Sequence, residues 1–520
     1  EDQVQIDDDV EVVVRDGTRL SARLFRPTEG GPHPVILSLT SYGKELGPDA
    51  YPAVLDNWTN PDIDLGTFTV SPWTSWEAPD PATWVLDGYA VMYVDVRGYF
   101  DSEGDASLFS PQEAEDFYDV IEWAGAQDWS NGNVGLMGVS YLAISQWVAA
   151  GTQPPSLKAM VPWEGQTDAF REVLYHGGVP ETAFTEFWLG RVLSLANTPP
   201  LPFTVEQFKV IQANPQAIKN AIPETVILPE LAEVPALVCA TWSDQGLHTR
   251  GSFEAFEKSM ADQKWLYTHG RTKWEMFYSD EALADQKRFF DHFLKDADNG
   301  MEDVARVRLE VRESLEVFEV RDEQEWPIAR TEYRQLYLDG PSGALSEEAP
   351  AEASTTTYEP LSESATFVYR FDADTELTGN MKLRLWISTA AGDNMDLFVG
   401  VNKLDADGEE VYFYAKTGYV HGPVAMGWLR VSERELDEAL STPWQPVLSH
   451  DNPQFVAPDE IVAVDIEILP SSTLFRAGES LQLVVQGADL FAHPSLAHAH
   501  SDPVNEGAHT IHAGGENHSH

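Results

Sequence analysis

The sequence predicts an α/β fold in two parts, a mostly parallel sheet carrying a helical insertion and then an all-β domain. Three observations carry this. Over residues 1–166, short apolar runs alternate with segments of helical spacing, the grammar of a parallel sheet covered on both faces. Residues 167–233 are helical and Pro-interrupted, with no clear strand, and the strand–helix alternation resumes over 234–303. From 304 to 520, short alternating runs are separated by Asp, Gly, Asn and Pro turns, as in an antiparallel β-sandwich or jelly roll.

The elements follow in order. VEVVVRDGTRLSARLFRP, Val10 to Pro27, alternates apolar and polar residues about an Asp-Gly turn and predicts a β-hairpin. Val35–Leu39 is an apolar strand ending in a loop at Tyr42-Gly43, followed by an irregular stretch from Lys44 to Pro81. Ala90–Val94 is a second buried strand, with Asp95 and Arg97 at its C-terminal end, where they predict an internal ion pair. PQEAEDFYDVIEWAGAQ places Phe117, Val120, Ile121 and Ala124 on one helical face. Val134–Met137 ends a strand, and Leu142–Ala150 has the small and apolar residues of a packed helix. LKAMVPWEG, PALVCATWSDQG and QKWLYTHG supply further strands, and EALADQKRFFDHFLKD a helix. KLRLWIST, MDLFVGVNKLD, VAVDIEIL and SLQLVVQG are the clearest strands of the all-β part.

Composition narrows the function classes. With 520 residues, 43% of them hydrophobic, the chain can bury large cores. No stretch approaches the roughly 18 apolar residues of a membrane span. The N-terminus lacks the basic and apolar regions of a signal peptide. A cytoplasmic location is expected, or a secreted one if a leader was removed. Cys239 is the single cysteine, which excludes an internal disulfide. The 33 basic and 85 acidic residues give a net charge of −52, so nucleic acid and anionic membranes are poor partners. The acids are spread along the chain and read as a solvated surface suited to high salt. A homo-oligomer is compatible with this composition.

Ser140 sits between the strand and the helix of GLMGVSYLAISQW. It reads either as a helix N-cap or as the nucleophile of a strand–turn–helix elbow, with Gly138 two residues before it. A serine nucleophile needs a base and an acid, which in this topology follow it in the chain at strand ends. Asp244, after Ala236–Ala240, has that place; Asp95 precedes the serine and Asp168 opens the insertion. Among histidines, His269 follows the strand KWLYT, His248 is its rival just behind Asp244, and His292 lies on a helix. Oxyanion donors would be the Tyr141 amide and a group after the earlier strand, where Tyr42 stands. His493, His498, His500, His509, His512, His518 and His520 crowd the C-terminal end. That segment is Gly- and Ser-rich with no supporting cysteine, so no metal and no cofactor is expected.

VEVVVRDGTRLSARLFRP, SYGK, DGYAVMYVDVRGYFDSEG, GNVGLMGVSYLAISQW, WSDQG and FFDHFLK, in this order, resemble the cocaine esterase-like hydrolases. That family groups with X-Pro dipeptidyl peptidases and α-amino acid ester hydrolases. The resemblance implies an α/β-hydrolase core with a helical cap insertion and a C-terminal all-β jelly-roll domain. It implies a triad of Ser140 as nucleophile, Asp244 as acid and His269 as base, with Tyr42 and the Tyr141 amide as oxyanion hole. Ala143 departs from the family's G-x-S-Y-x-G pattern, and THGRTKW lacks the Pro-Trp that often precedes the histidine.

The expected reaction is hydrolysis of a small-molecule ester or amide through an acyl-enzyme. Trp58, Trp73, Trp76, Trp163, Phe184, Phe187 and Trp188 are candidates for an apolar acyl or aryl pocket, although packing of the cap would explain some of them. An X-Pro or aminoacyl hydrolase is the alternative, with Glu164, Asp168 and Glu172 as ammonium-binding carboxylates. A non-catalytic carbohydrate-binding protein is the alternative of another class.

Charge yields the first prediction. At low ionic strength the carboxylates repel over a Debye length of about 30 Å at 0.01 M, which falls to about 3 Å at 1 M. Repulsion opposes the compact state, so the thermal midpoint should rise as sodium chloride goes from millimolar to molar. A flat or falling midpoint would show that the acids are locally compensated.

Overall fold

The computed structural model describes residues 3–51, 60–200, 204–212, 214–221, 227–499 and 504–520. Its first sheet contains β1 (Val4–Val13), β2 (Arg19–Pro27), β3 (His33–Thr40), β4 (Ala90–Asp95), β5 (Ser130–Val139) and β6 (Leu157–Trp163). It continues with β7 (Ala236–Thr241), β8 (Lys264–His269), β9 (Val307–Arg312) and β10 (Phe318–Glu323). Pairing gives the order β1-β2-β4-β3-β5-β6-β7-β8-β9-β10, parallel from β4 to β9 and antiparallel at both ends. β3, β4 and β7 are buried along their whole lengths, which is why they read as unbroken apolar runs. β1 and β2 form the predicted hairpin.

Helices Pro111–Gly125, Tyr141–Ala150 and Asp280–Lys295 pack on this sheet. The first is capped by Ser110, whose Oγ accepts from Glu113 N at 3.2 Å, and turns Phe117, Val120, Ile121 and Ala124 inward as its spacing requires. The helix Tyr141–Ala150 is buried on every side, consistent with its lack of a polar face.

The insertion differs from a purely helical one. After a π-helical turn, Phe170–Leu174, Tyr175–His176 and Val179–Pro180 pair as a small antiparallel hairpin. Its turn is Gly177-Gly178, both at positive φ, and a Cβ on Gly177 would lie 1.9 Å from the Trp428 carbonyl oxygen. Two-residue strands are too short to leave a period in the sequence. Helices Phe184–Leu195, Val205–Ile211 and Pro215–Ala221 follow.

The C-terminal part is a two-sheet sandwich. One sheet pairs Ser354–Tyr358, His509–Ala513, Thr375–Thr389 and Val462–Phe475; the other pairs Ala365–Arg370, Ser480–Gln486, Asp396–Leu404 and Ala425–Arg430. A second hydrophobic core lies between them. β9 and β10 fall beyond residue 304, yet by pairing they extend the first sheet. The His-rich end is woven into the fold: His509 is fully buried, and His498 joins Asp489 to His176 at 2.6 and 2.8 Å. His500 lies outside the described residues.

Arg312 joins the two parts. Its guanidinium, 2% exposed, donates to the Val424 carbonyl at 3.2 Å and Ser471 Oγ at 2.9 Å. Arg312→Ala should leave buried acceptors unmet and cost about 3 kcal/mol. A clearly lower thermal midpoint is expected; an unchanged midpoint would show that this contact does not hold the domains together.

Candidate active site

Ser140 follows β5 directly, with φ 59° and ψ −120°, a conformation that L residues rarely adopt. Such strain persists only where surrounding structure imposes it. Gly138 makes the turn: a Cβ there would sit 2.4 Å from Leu142 Cβ. The serine side chain makes no N-cap hydrogen bond. Instead Ser140 Oγ lies 3.1 Å from His248 Nε2. The N-cap reading therefore does not hold.

The expectation that His269 faces the serine is not met either. His269 ends β8 and is fully buried, its ring over Trp163 at 6.0 Å between centroids. Its Nδ1 accepts from Arg271 N at 3.3 Å, while Nε2 lies 2.9 Å from Glu164 Oε1, out of line for a well-formed hydrogen bond. Burial pushes the His269 pKa down to about 3 and that of Glu164 well up, so this is a contact of neutral groups rather than an ion pair. His248 holds the place beside the serine because it follows Asp244 by only four positions. The Asp244 carbonyl accepts from His248 N at 3.0 Å, and the resulting turn lifts the imidazole over the sheet edge.

Asp244 is placed as expected, in the loop just after β7, but it does not orient the imidazole through its carboxylate. Its Oδ2 takes Lys273 Nζ at 2.6 Å and its Oδ1 takes Thr417 N at 3.2 Å. Burial would raise this acid, but Lys273, His248 and the Lys273 hydrogen bond outweigh it and hold it below its usual range. Among the described residues His248 Nδ1 has no well-formed hydrogen bond, and the Gly165 carbonyl lies near the ring. A proton on Nδ1 leaves Nε2 free to accept from the serine hydroxyl, a tautomer assigned from these partners. Burial, then Lys273, pushes the His248 pKa down to about 3.

Tyr42 stands where an oxyanion donor is needed. Its hydroxyl neighbours Ser140, accepts from Trp188 Nε1 at 3.5 Å, and is held protonated by burial. The Tyr141 amide is the first N–H of a helix and has no intrahelical acceptor. The Tyr141 hydroxyl points away, to Glu113.

Two cavities meet at Ser140. One is apolar and includes Phe109, Ile144, Phe184, Trp188 and His248. The other includes Trp76, Glu77, Phe187, Arg191 and Lys273. Phe184, Phe187, Trp188 and Trp76 are therefore pocket residues. Trp163 is not: it is fully buried among Tyr267, His269 and Phe277 in the core beneath the sheet edge. Trp73 packs on Phe25 at 6.3 Å and lines neither cavity. Trp58 lies outside the described residues.

The acids near the cap are already engaged. Asp168 pairs with Arg171 at 2.5 Å, Glu172 with Arg250 at 3.3 Å, and Glu164 contacts His269. Asp95 forms its ion pair with Lys44, at 3.8 Å, while Arg97 turns to Asp116 at 2.7 Å. The residue type that sequence reasoning missed is Glu77. It has φ 64°, its carbonyl accepts from Val139 N at 3.0 Å, and burial raises its pKa to about 8. Glu164, Cys239 and His269 bring possible metal-ligand atoms within 4.8 Å of one another, the one such group among the described residues. Burial keeps the Cys239 thiol protonated, which is not the ligating form.

Comparison with known proteins gives the family and the fold. Residues 16–279 match the X-Pro dipeptidyl-peptidase (S15 family) model, and residues 299–520 the X-Pro dipeptidyl-peptidase C-terminal non-catalytic domain. A CocE/NonD family hydrolase from Staphylococcus aureus superposes with a TM-score of 0.92 at 41% identity, over 99% of this chain and 92% of that one. A cocaine esterase from Rhodococcus sp. is 29% identical over 69% of this chain and 67% of its own length. An α-amino acid ester hydrolase, 18% identical with a TM-score of 0.74, covers 99% of this chain and 96% of that one and shares the fold. No helix among the described residues is long and apolar enough to cross a membrane. With both family models matched in order and the elbow serine in place, the chain belongs to the S15 X-Pro dipeptidyl-peptidase family and is a hydrolase.

Proposed function

We propose that the chain is a serine esterase or amidase in which Ser140 is the nucleophile and His248 the general base. The observation that carries this is the 3.1 Å contact between Ser140 Oγ and His248 Nε2 at the mouth of two cavities. His248 takes the hydroxyl proton as Oγ attacks the substrate carbonyl carbon. The oxyanion is held by the Tyr42 hydroxyl and the Tyr141 amide. Collapse of the intermediate expels the alcohol or amine, which leaves with the proton from His248, and water then releases the acid by the same steps. Asp244 supports the imidazole through its negative field and through the turn it builds. A carbohydrate-binding role without catalysis would give no reason for a strained serine aimed at a histidine. An aminopeptidase reading would need a free carboxylate beside the serine; Glu164, Asp168 and Glu172 are engaged, and Glu77 is held neutral at neutral pH.

Ser140→Ala should abolish hydrolysis of 4-nitrophenyl esters in a folded protein. His248→Ala should lower kcat/KM by several powers of ten. His269→Asn, judged per folded molecule, should retain most turnover. The reverse order of the two histidine variants would return the base to His269.

The pH dependence follows from sign. Because the His248 pKa is lowered to about 3, the base stays unprotonated far below the ordinary histidine value of about 6.5. Activity should therefore persist from pH 6.5 down to about pH 4, where an unperturbed histidine would already be protonated. Lys273→Met removes a neighbouring positive charge and should move the acid limb of kcat/KM upward. An acid limb near 6.5 in the parent enzyme would contradict the assigned environment of the base.

A further inference from the structure

We infer that the acyl part of the substrate carries a negative charge, held by Arg191. This rests on the serine-hydrolase reading above and names the substrate class for it. Arg191 lies on the cap helix Phe184–Leu195, on the same face as Phe184, Phe187 and Trp188, at positions i, i+3, i+4 and i+7. That face lines the second cavity, which also contains Ser140. Among the described residues the Arg191 guanidinium has no ion pair and no hydrogen bond. In a chain with 85 acids to 33 basic residues, a partly buried arginine beside a nucleophile has every opportunity for a carboxylate partner. Here the cavity offers none. The Lys273 charge is matched by Asp244 at 2.6 Å. Glu77, the remaining acid of the cavity, accepts from Trp274 Nε1 at 3.0 Å, makes no ion pair with Arg191, and is pushed toward its neutral form by burial. The cavity thus carries one uncompensated positive charge, at its arginine.

The two cavities divide the substrate. The base returns its proton to the leaving group, so the leaving group occupies the cavity that contains His248. The acyl group then lies in the other, toward Arg191. Aromatic walls of Trp76, Phe187 and Trp188 suit a methylene chain between the carbonyl and the charge. The fitting substrates are monoesters or monoamides of dicarboxylic acids, cleaved by water to the free dicarboxylate and an alcohol or amine.

The test compares 4-nitrophenyl hydrogen adipate with 4-nitrophenyl methyl adipate, the same acyl chain with its charge masked, on the full-length enzyme and on Arg191→Gln and Arg191→Lys. The parent enzyme should prefer the acid in kcat/KM by tenfold or more. Arg191→Gln should lose about 10- to 100-fold on the acid alone, the range of a charge-assisted contact. Arg191→Lys should recover part of the loss, and the acid-over-methyl-ester preference should fall in Arg191→Gln and partly return in Arg191→Lys. Equal loss on both esters would overturn the inference, since Arg191 would then be serving the oxyanion. Turnover of the methyl ester without preference for the acid would also overturn it and leave the serine reading standing. Turnover of neither, with Ser140 still labelled by a fluorophosphonate, overturns it as well. Failure of that labelling would instead sink the serine reading, and the inference with it.

Discussion

The contact between Asp244 and Lys273 is the one on which the rest of the site depends. A carboxylate with 3% exposure is expensive to keep ionised, and it stays so only with a cation and hydrogen bonds of good geometry. Lys273 opens the short helix Lys273–Phe277 after β8 and Thr417 comes from the sandwich domain, while Asp244 itself lies in the loop just after β7. Three stretches distant in sequence therefore close on one side chain. The neighbouring loop residues are tied the same way. Gln245 bonds Val424 O and Met426 N at 3.2 and 2.6 Å, and Lys416 Nζ donates to Gly246 O at 3.0 Å. The loop that carries His248 is thus held from both sides, and the sandwich domain, though described by its family as non-catalytic, is part of what positions that imidazole.

This arrangement also reorders the usual work of the triad acid. An aspartate bonded to the imidazole would raise its basicity; here that carboxylate is spent on a lysine whose charge, after burial, lowers it. Buried acids without a cation partner behave differently from Asp244: Glu77 and Glu113 are each raised to about 8, chiefly by burial. The formal charge of −52 therefore overstates what the folded protein carries at neutral pH. The remaining charge is at the surface, where salt screens it, and the site works in a field set by a few buried cations.

Much of the fold was legible because its signals are local. β3, β4 and β7 are buried throughout and read as apolar runs, and the helix Pro111–Gly125 shows its period and its Ser110 cap. The elbow was legible as a glycine two residues before a serine between strand and helix. The proposed base was not, since topology favours a histidine at a strand end and His269 has that position. What decides is the side to which a strand's last residue turns: His269 shares a face with Tyr267 and stacks under Trp163, inside the core. The short spacing of Asp244 and His248 was visible, but not the turn that makes it productive. Arg191 lies on the periodic face of Phe184, Phe187 and Trp188, and attention to the aromatics alone passed over it. Glu77 and Lys273 carry no local mark, because their roles come from contacts across the fold.

The contrast between the two histidines shows what a catalytic pair requires beyond residue type. His269 and Glu164 approach to 2.9 Å, the sort of carboxylate–imidazole contact that a search for a triad would single out. Yet both are buried from solvent, both are held neutral, and the nearest nucleophile, Cys239, is a protonated thiol in the same buried core. No substrate carbonyl can reach that thiol. His248 is almost as buried, with 2% exposure, but its partner Ser140 opens on two cavities. Burial of the base is compatible with chemistry as long as the nucleophile is reachable, because the proton moves between the two and need not meet water first. The strained backbone at Ser140 is what secures that access: a helical φ there would turn the oxygen back toward the first turn of its helix, as an ordinary cap.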